Sequence, residues 1–142
     1  MMKIGFIGTG LMGLPMSKNL LKSGFKLKAF NRSINKAESL KDFGAEISKT
    51  LGEVVKDNDF IITMLTDDGA VDAIMNNSDF LDNLEPGTTV IDMSSIKPTT
   101  ATKYGNNFKS NNVEKMIRSN IIFVNFSPTN KLLTYCTKSK GF

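Results

Sequence analysis

Residues 8–13 read Gly-Thr-Gly-Leu-Met-Gly, three glycines at the spacing G-x-G-x-x-G. Between a strand and a helix each of them has a task. The first, Gly8, permits a tight turn; the second, Gly10, lets a pyrophosphate approach the backbone; the third, Gly13, lets the helix pack close to the strand. The chemistry on offer is anion binding, because N–H groups at a helix start have no partner within the helix and face outward at the positive end of its dipole. Thr9, Leu11 and Met12 share the loop and complete this candidate contact surface. The alternative is a glycine-rich connection with no ligand.

The flanking elements favour the ligand. Lys3–Ile7 is a short apolar run that reads as a buried strand. After the glycines, Met12, Met16 and Leu20 recur at a spacing of four until Ser23-Gly24, the pattern of an amphipathic helix with a glycine stop. Pro15 is tolerated only in a first turn, so the helix should begin near Gly10–Gly13. Further along, the pattern predicts strands at 26–30, 59–65 and 88–93, and helices at 34–43, 50–56 and around 69–75. The run DFIITML at 59–65 is nearly unbroken, as in a strand covered on both faces. Alternating strands and helices predict an α/β fold of Rossmann type, a doubly wound and mostly parallel sheet.

The second strand ends on Asn31-Arg32-Ser33. In an NAD site an acidic residue stands there and accepts hydrogen bonds from the adenosine ribose, and its charge would repel the 2′-phosphate of NADP. Asn31 can still bond the ribose, Arg32 offers a planar fork to a phosphate, Ser33 adds a hydroxyl, and Lys36 brings positive charge one helical turn on. The arrangement predicts NADP (NADPH) in preference to NAD; the alternative is that Arg32 is a solvated loop residue.

Bulk composition excludes other chemistries. The 142 residues contain no histidine and only Cys136, so His-based catalysis, His-ligated metals and an internal disulfide framework are ruled out, and no metal site is expected. No apolar run approaches the roughly 20 residues of a membrane-spanning helix. The N-terminal apolar run is broken by Gly5, Gly8, Gly10 and Gly13 with no small-residue cleavage site after it, which argues against a signal peptide and makes the cytoplasm the expected location. The net charge of +4 is uneven: residues 1–102 hold 11 basic and 13 acidic side chains, whereas 103–142 hold 7 basic ones and only Glu114.

Four stretches carry a resemblance to a known family: GFIGTGLMGLPMSKNLLKSGF at 5–25, FNRS at 30–33, TMLTDDGAV at 63–71 and DMSSIKPTT at 92–100. The chain resembles the N-terminal cofactor domain of the β-hydroxyacid dehydrogenases, which include 3-hydroxyisobutyrate dehydrogenase and the glyoxylate/succinic semialdehyde reductases and are related to 6-phosphogluconate dehydrogenase. The resemblance implies hydride transfer between nicotinamide and a small 3-hydroxy acid or semialdehyde. It also implies that Met64, Leu65 and Thr66 lie along the cofactor and that Ser95 lies near its nicotinamide half. Strand-end packing and a plain turn are the alternatives for those two stretches. Gly69-Ala70 stand where some members have an Asn.

Likeness is strong to about residue 101 and faint to about 126, giving an expected NADP-binding domain at 1–126 and a divergent basic tail at 127–142. After the plausible strand IIFVNF at 121–126, Ser127-Pro128-Thr129-Asn130 replaces the family's glycine-paired substrate loop, and no G-x-x-x-K segment follows. Lys131, Lys138 and Lys140 stand in no such context, so no catalytic residue is assigned. The helical C-terminal substrate and dimerisation domain of the family is therefore expected to be missing, with small-molecule substrate and any oligomer depending on it, and the 142-residue chain is expected to be inactive alone. The tail reads as a surface helix with a poorly ordered end, as a frame-changed or truncated end, or as a nucleic-acid arm; the last lacks the interleaved aromatics that stacking needs. Two functions stay open: the cofactor half of an NADP-dependent oxidoreductase, or a dinucleotide-binding module without catalysis.

Overall fold

The structure is a computed structural model and describes residues 2–110, 120–126 and 132–137. Strands β1 (Lys3–Ile7), β2 (Lys26–Phe30), β3 (Glu46–Ile47), β4 (Phe60–Thr63), β5 (Thr89–Asp92), β6 (Asn120–Phe126) and β7 (Leu132–Thr137) form one sheet in the order β3-β2-β1-β4-β5-β6-β7. All neighbours are parallel except β6 and β7. Helices α1 (Gly13–Lys22), α2 (Asn35–Glu38), α3 (Leu51–Val55), α4 (Asp68–Met75), α5 (Ser78–Asp82) and α6 (Pro98–Ser110) make the crossovers. The order 3-2-1-4-5-6 is that of a Rossmann sheet.

Side chains leave the sheet alternately, so one strand feeds two cores. On one face Ile4 and Phe6 of β1 join Leu27, Ala29, Ala37, Leu40 and Ile62, against which Leu14, Met16 and Leu20 of α1 pack. On the other, Ile7, Ile61 of β4 and Val90 of β5 join Val54, Val71, Phe80 and Tyr104 from helices α3 to α6. Helices cover both faces, and each fully buried aromatic such as Phe6 or Phe80 contributes roughly 1.5–3 kcal/mol. Gly5 is part of this closeness: a Cβ there would overlap the Val54 carbonyl oxygen, so α3 sits directly on β1.

Helix α1 begins at Gly13 with Pro15 in its first turn, as expected. The helix expected over 34–43 is a correction: α2 stops at Glu38 and a 3₁₀ turn occupies Lys41–Phe43. The buried pair Ala37 and Leu40 is spaced by three, and Leu40 N–H donates to the Ala37 carbonyl at 2.9 Å, the tighter repeat of a 3₁₀ turn. The short β3 and α5 and the longer α6 are not among the elements the sequence pattern predicts. Leu132–Thr137, part of the tail marked off where the resemblance ends and read there as a surface helix, is instead a strand that runs antiparallel along β6 at the sheet edge. The rest of that tail, 127–131 and 138–142, lies outside the described residues.

Candidate dinucleotide site

The strand order reverses between β1 and β4, and a cleft of about 470 Å³ opens there, at the carboxyl ends of the strands where such sheets take their ligands. The structure brings Gly8 and Gly10 from the glycine loop to this cleft, with Asn31, Arg32, Ser33 and Lys36 from the end of β2 and the start of α2. Met64, Leu65 and Thr66, from the end of β4, form another part of its wall. Thr9, Leu11, Met12, Gly13 and Ser95 are not part of the lining. Thr9 and Gly13 are buried, whereas Leu11 is 97% exposed and Met12 59%.

The three glycines differ physically. Gly8 has φ +98°, which L side chains rarely adopt, and its N–H closes the β1–β2 ladder on the Phe30 carbonyl at 2.9 Å. At Gly13 a Cβ would overlap the Gly8 carbonyl oxygen, so the helix start is pressed onto the strand end. A Cβ at Gly10 meets nothing within 4 Å. Among the described residues nothing stands where a Cβ on Gly10 would go, so the backbone there is open to the cleft.

Asn31 is half-buried and works at both ends. Its Oδ1 accepts from Thr9 N–H at 3.0 Å, and its Nδ2 donates to the Ser33 carbonyl at 3.0 Å. Arg32, Ser33 and Lys36 are exposed, a positive cluster facing solvent on the cleft's β2 side.

The D-x-S stretch after β5 is a buried clamp. Asp92 is 1% exposed, and its Oδ1 accepts from the Thr63 hydroxyl at 2.6 Å and the Ser94 hydroxyl at 2.6 Å. Ser94 in turn accepts from Leu65 N–H at 2.9 Å, which fixes the β4 end along the cleft. Burial pushes the Asp92 carboxyl above the ordinary range, against the opposing pull of the Ser94 and Thr63 bonds. Its Oδ2 is buried with no hydrogen-bond partner among the described residues. Ser94 is thus the serine turned inward, and Ser95, singled out from the sequence, is exposed.

Sequence reasoning missed the α4 side of the cleft. Asp67, Gly69, Ala70, Ala73 and Ile74 line it, and Asp67 caps α4 by accepting from Ala70 N–H at 2.8 Å. The spacing Ala70, Ala73, Ile74 was a usable signal, one helical stripe. From the same helix Asp68 accepts from Lys97 N–H at 3.0 Å and from the Thr100 hydroxyl, while Asp72 accepts from the Tyr104 hydroxyl and pairs with Lys103 at 3.2 Å. These bonds tie α4 to α6 and hold the segment between β5 and α6.

Among the described residues no cluster of His, Cys, Asp and Glu is placed to hold a metal ion, and no helix is long and apolar enough to cross a membrane.

Residues 3–117 match the NAD binding domain of 6-phosphogluconate dehydrogenase. The chain is 37% identical over 103 residues to glyoxylate/succinic semialdehyde reductase 1 of Arabidopsis thaliana, covering 72% of this chain and 36% of that protein. It is 36% identical over 104 residues to the NAD-dependent L-serine dehydrogenase of Pseudomonas aeruginosa, covering 72% of this chain and 35% of that one. The solved 3-hydroxyisobutyrate dehydrogenase of Mycobacterium tuberculosis with L-serine aligns at a TM-score of 0.76 and 28% identity, over 88% of this chain and 40% of that one. The chain therefore spans little more than a third of the length of the curated relatives it matches. A strand, an open glycine loop and a helix at the switch point of a 3-2-1-4-5-6 sheet are what that family's cofactor domain consists of, and the chain belongs to it: it is a dinucleotide-binding domain of the 3-hydroxyacid dehydrogenase and semialdehyde reductase type.

Proposed function

We propose that this chain is the NADP(H)-binding half of an oxidoreductase that moves a hydride between nicotinamide and a small 3-hydroxy acid or semialdehyde. The observation that carries it is one cleft in which an open Gly10 backbone and the Arg32–Ser33–Lys36 cluster face the same space. Gly8 to Gly13 would take the pyrophosphate, and Arg32, Ser33 and Lys36 the 2′-phosphate. Met64, Leu65 and Thr66 would lie along the cofactor, and Ser95, three residues beyond β5, would lie near its nicotinamide half. When bound, the cofactor supplies the hydride; this chain's part is to bind and orient it. Cofactor choice is not carried by kinship, since a relative of equal similarity is named NAD-dependent, so it rests on these side chains.

Each charge-assisted bond to the 2′-phosphate is worth about 1.5–3 kcal/mol, which supports a roughly ten- to hundredfold preference for NADPH over NADH. Titration of the purified chain with both cofactors, followed by nicotinamide fluorescence, tests it; equal affinities would overturn the assignment.

A second reading, binding without catalysis, is favoured by the lack of a G-x-x-x-K-x-x-x-N segment in residues 1–142. The two readings separate in an NADPH-oxidation assay with succinic semialdehyde or glyoxylate. Residues 1–142 alone are expected to bind cofactor without turnover, and saturable activity abolished by a substitution within them would favour the first reading for this chain by itself.

A further inference from the structure

We propose that Asn31 is a positioning residue, a strut that sets the distance between the pyrophosphate-facing and the 2′-phosphate-facing loops. This deepens the NADP assignment and rests on it.

The last backbone rung between β1 and β2 is Gly8 N–H to the Phe30 carbonyl. There the positive φ of Gly8 turns the chain out of the strand. The next donor, Thr9 N–H, finds the Asn31 side chain instead of a backbone carbonyl, at 3.0 Å. A side chain thus adds one more rung and holds the glycine loop to the end of β2. Thr9 gives the loop no second polar anchor, because its buried Oγ1 has no hydrogen-bond partner among the described residues. The other end of Asn31 holds its own loop: Nδ2 donates to the Ser33 carbonyl at 3.0 Å, bracketing Arg32 between two fixed positions. Which end is oxygen follows from the partners, since an N–H requires an acceptor and a carbonyl requires a donor.

Only an amide satisfies both partners. An Asp would keep the bond from Thr9 N–H but has no proton for the Ser33 carbonyl; an Ala would keep neither. Asn31 is therefore more than the absence of an acid. It is the residue that lets the Arg32–Ser33 loop be held where the glycine loop can share a ligand with it.

The test compares the wild-type chain with Asn31→Ala, Asn31→Asp and, as a control, Arg32→Ala. Thr9 amide hydrogen exchange is read by NMR without ligand, and NADPH and NADH are titrated separately. In the wild type the Thr9 amide should exchange at least about tenfold more slowly than an open peptide. Asn31→Ala should release it and weaken both cofactors by about two- to tenfold per lost bond. Asn31→Asp should keep the Thr9 amide protected, and Arg32→Ala should weaken NADPH alone. Exchange of the wild-type Thr9 amide at the open-peptide rate would overturn the strut without any variant. So would unchanged Thr9 exchange, or an NADH affinity within about twofold of wild type, in Asn31→Ala. A wild-type chain that binds neither cofactor would overturn the NADP assignment instead, and the Thr9 amide would then judge the strut by itself.

Discussion

A Cβ built on Gly13 overlaps the carbonyl oxygen of Gly8, whereas one built on Gly10 meets nothing within 4 Å. The motif therefore separates into glycines that the fold itself requires, Gly8 by its positive φ and Gly13 by close contact, and Gly10, which has room for a side chain among the described residues. Gly10→Val should keep the far-ultraviolet circular dichroism and the melting temperature close to wild type while NADPH binding is lost, because the branched side chain fills the space left for the pyrophosphate. Gly13→Val should melt far lower with or without cofactor. A Gly10→Val protein that binds NADPH within about twofold of wild type would remove the basis for placing the pyrophosphate there.

Arg32 stands exposed at the mouth of the cleft beside Ser33 and Lys36. Arg32→Asp exchanges a phosphate-binding fork for a carboxylate that accepts from ribose hydroxyls and repels a 2′-phosphate. The order of affinities should reverse, with NADH bound more tightly than NADPH. Separate titrations of the two cofactors check this, and a variant still favouring NADPH would place the 2′-phosphate elsewhere.

The path from β1 through the glycines to β2 was legible because its signals are local: an apolar run, three glycines, a spacing of four and a glycine stop. The strands β4 and β5 were legible as short apolar runs for the same reason. Glu46–Ile47, at two residues, is too short to show any period. The break after Glu38 depends on Ala37 and Leu40 reaching the same core, which a continuous helical pattern at 34–43 does not reveal. In the site, residue types predicted the Arg32 side of the cleft but not the duties of Asn31 or Ser94. Besides a neighbour two residues off, each has a partner 22 or 29 residues away, and only the parallel register of the sheet brings those distant partners together.

Tyr104, buried on α6, donates to Asp72 of α4 and accepts from Asn76 at 2.9 Å. Tyr104→Phe removes both bonds and should lower stability by about 1–3 kcal/mol in urea unfolding. The Tyr104 bond, and after it the Lys103 bond, hold the Asp72 carboxyl below its ordinary value of 3.8. Its folded value being the lower, its contribution is full above 3.8 and is lost as pH falls through the folded value. The gap between wild type and Tyr104→Phe should therefore narrow in acid. A gap of constant size from neutral pH down to about pH 3 would show that Tyr104 acts through packing and not through Asp72.

Asp92 titrates in the opposite sense. Burial raises its carboxyl above 3.8, so the folded state holds the proton more tightly than the unfolded one. The charged form then costs stability above the folded value, and the cost disappears as pH falls below 3.8. Asn at this position keeps an oxygen for Thr63 and Ser94 but cannot titrate. Stability curves of wild type and Asp92→Asn, measured in parallel from neutral pH downward, should shift in favour of wild type as the pH drops and level off below the unfolded value. The difference between two proteins isolates this one carboxylate from Asp68 and Asp72, whose bonds to α6 weaken over the acid end of the same range. A difference that stays flat between about pH 7 and pH 4 would mean that the Asp92 carboxylate is satisfied in the folded chain, and the clamp on Leu65 N–H would then be held by an ordinary ionised acid.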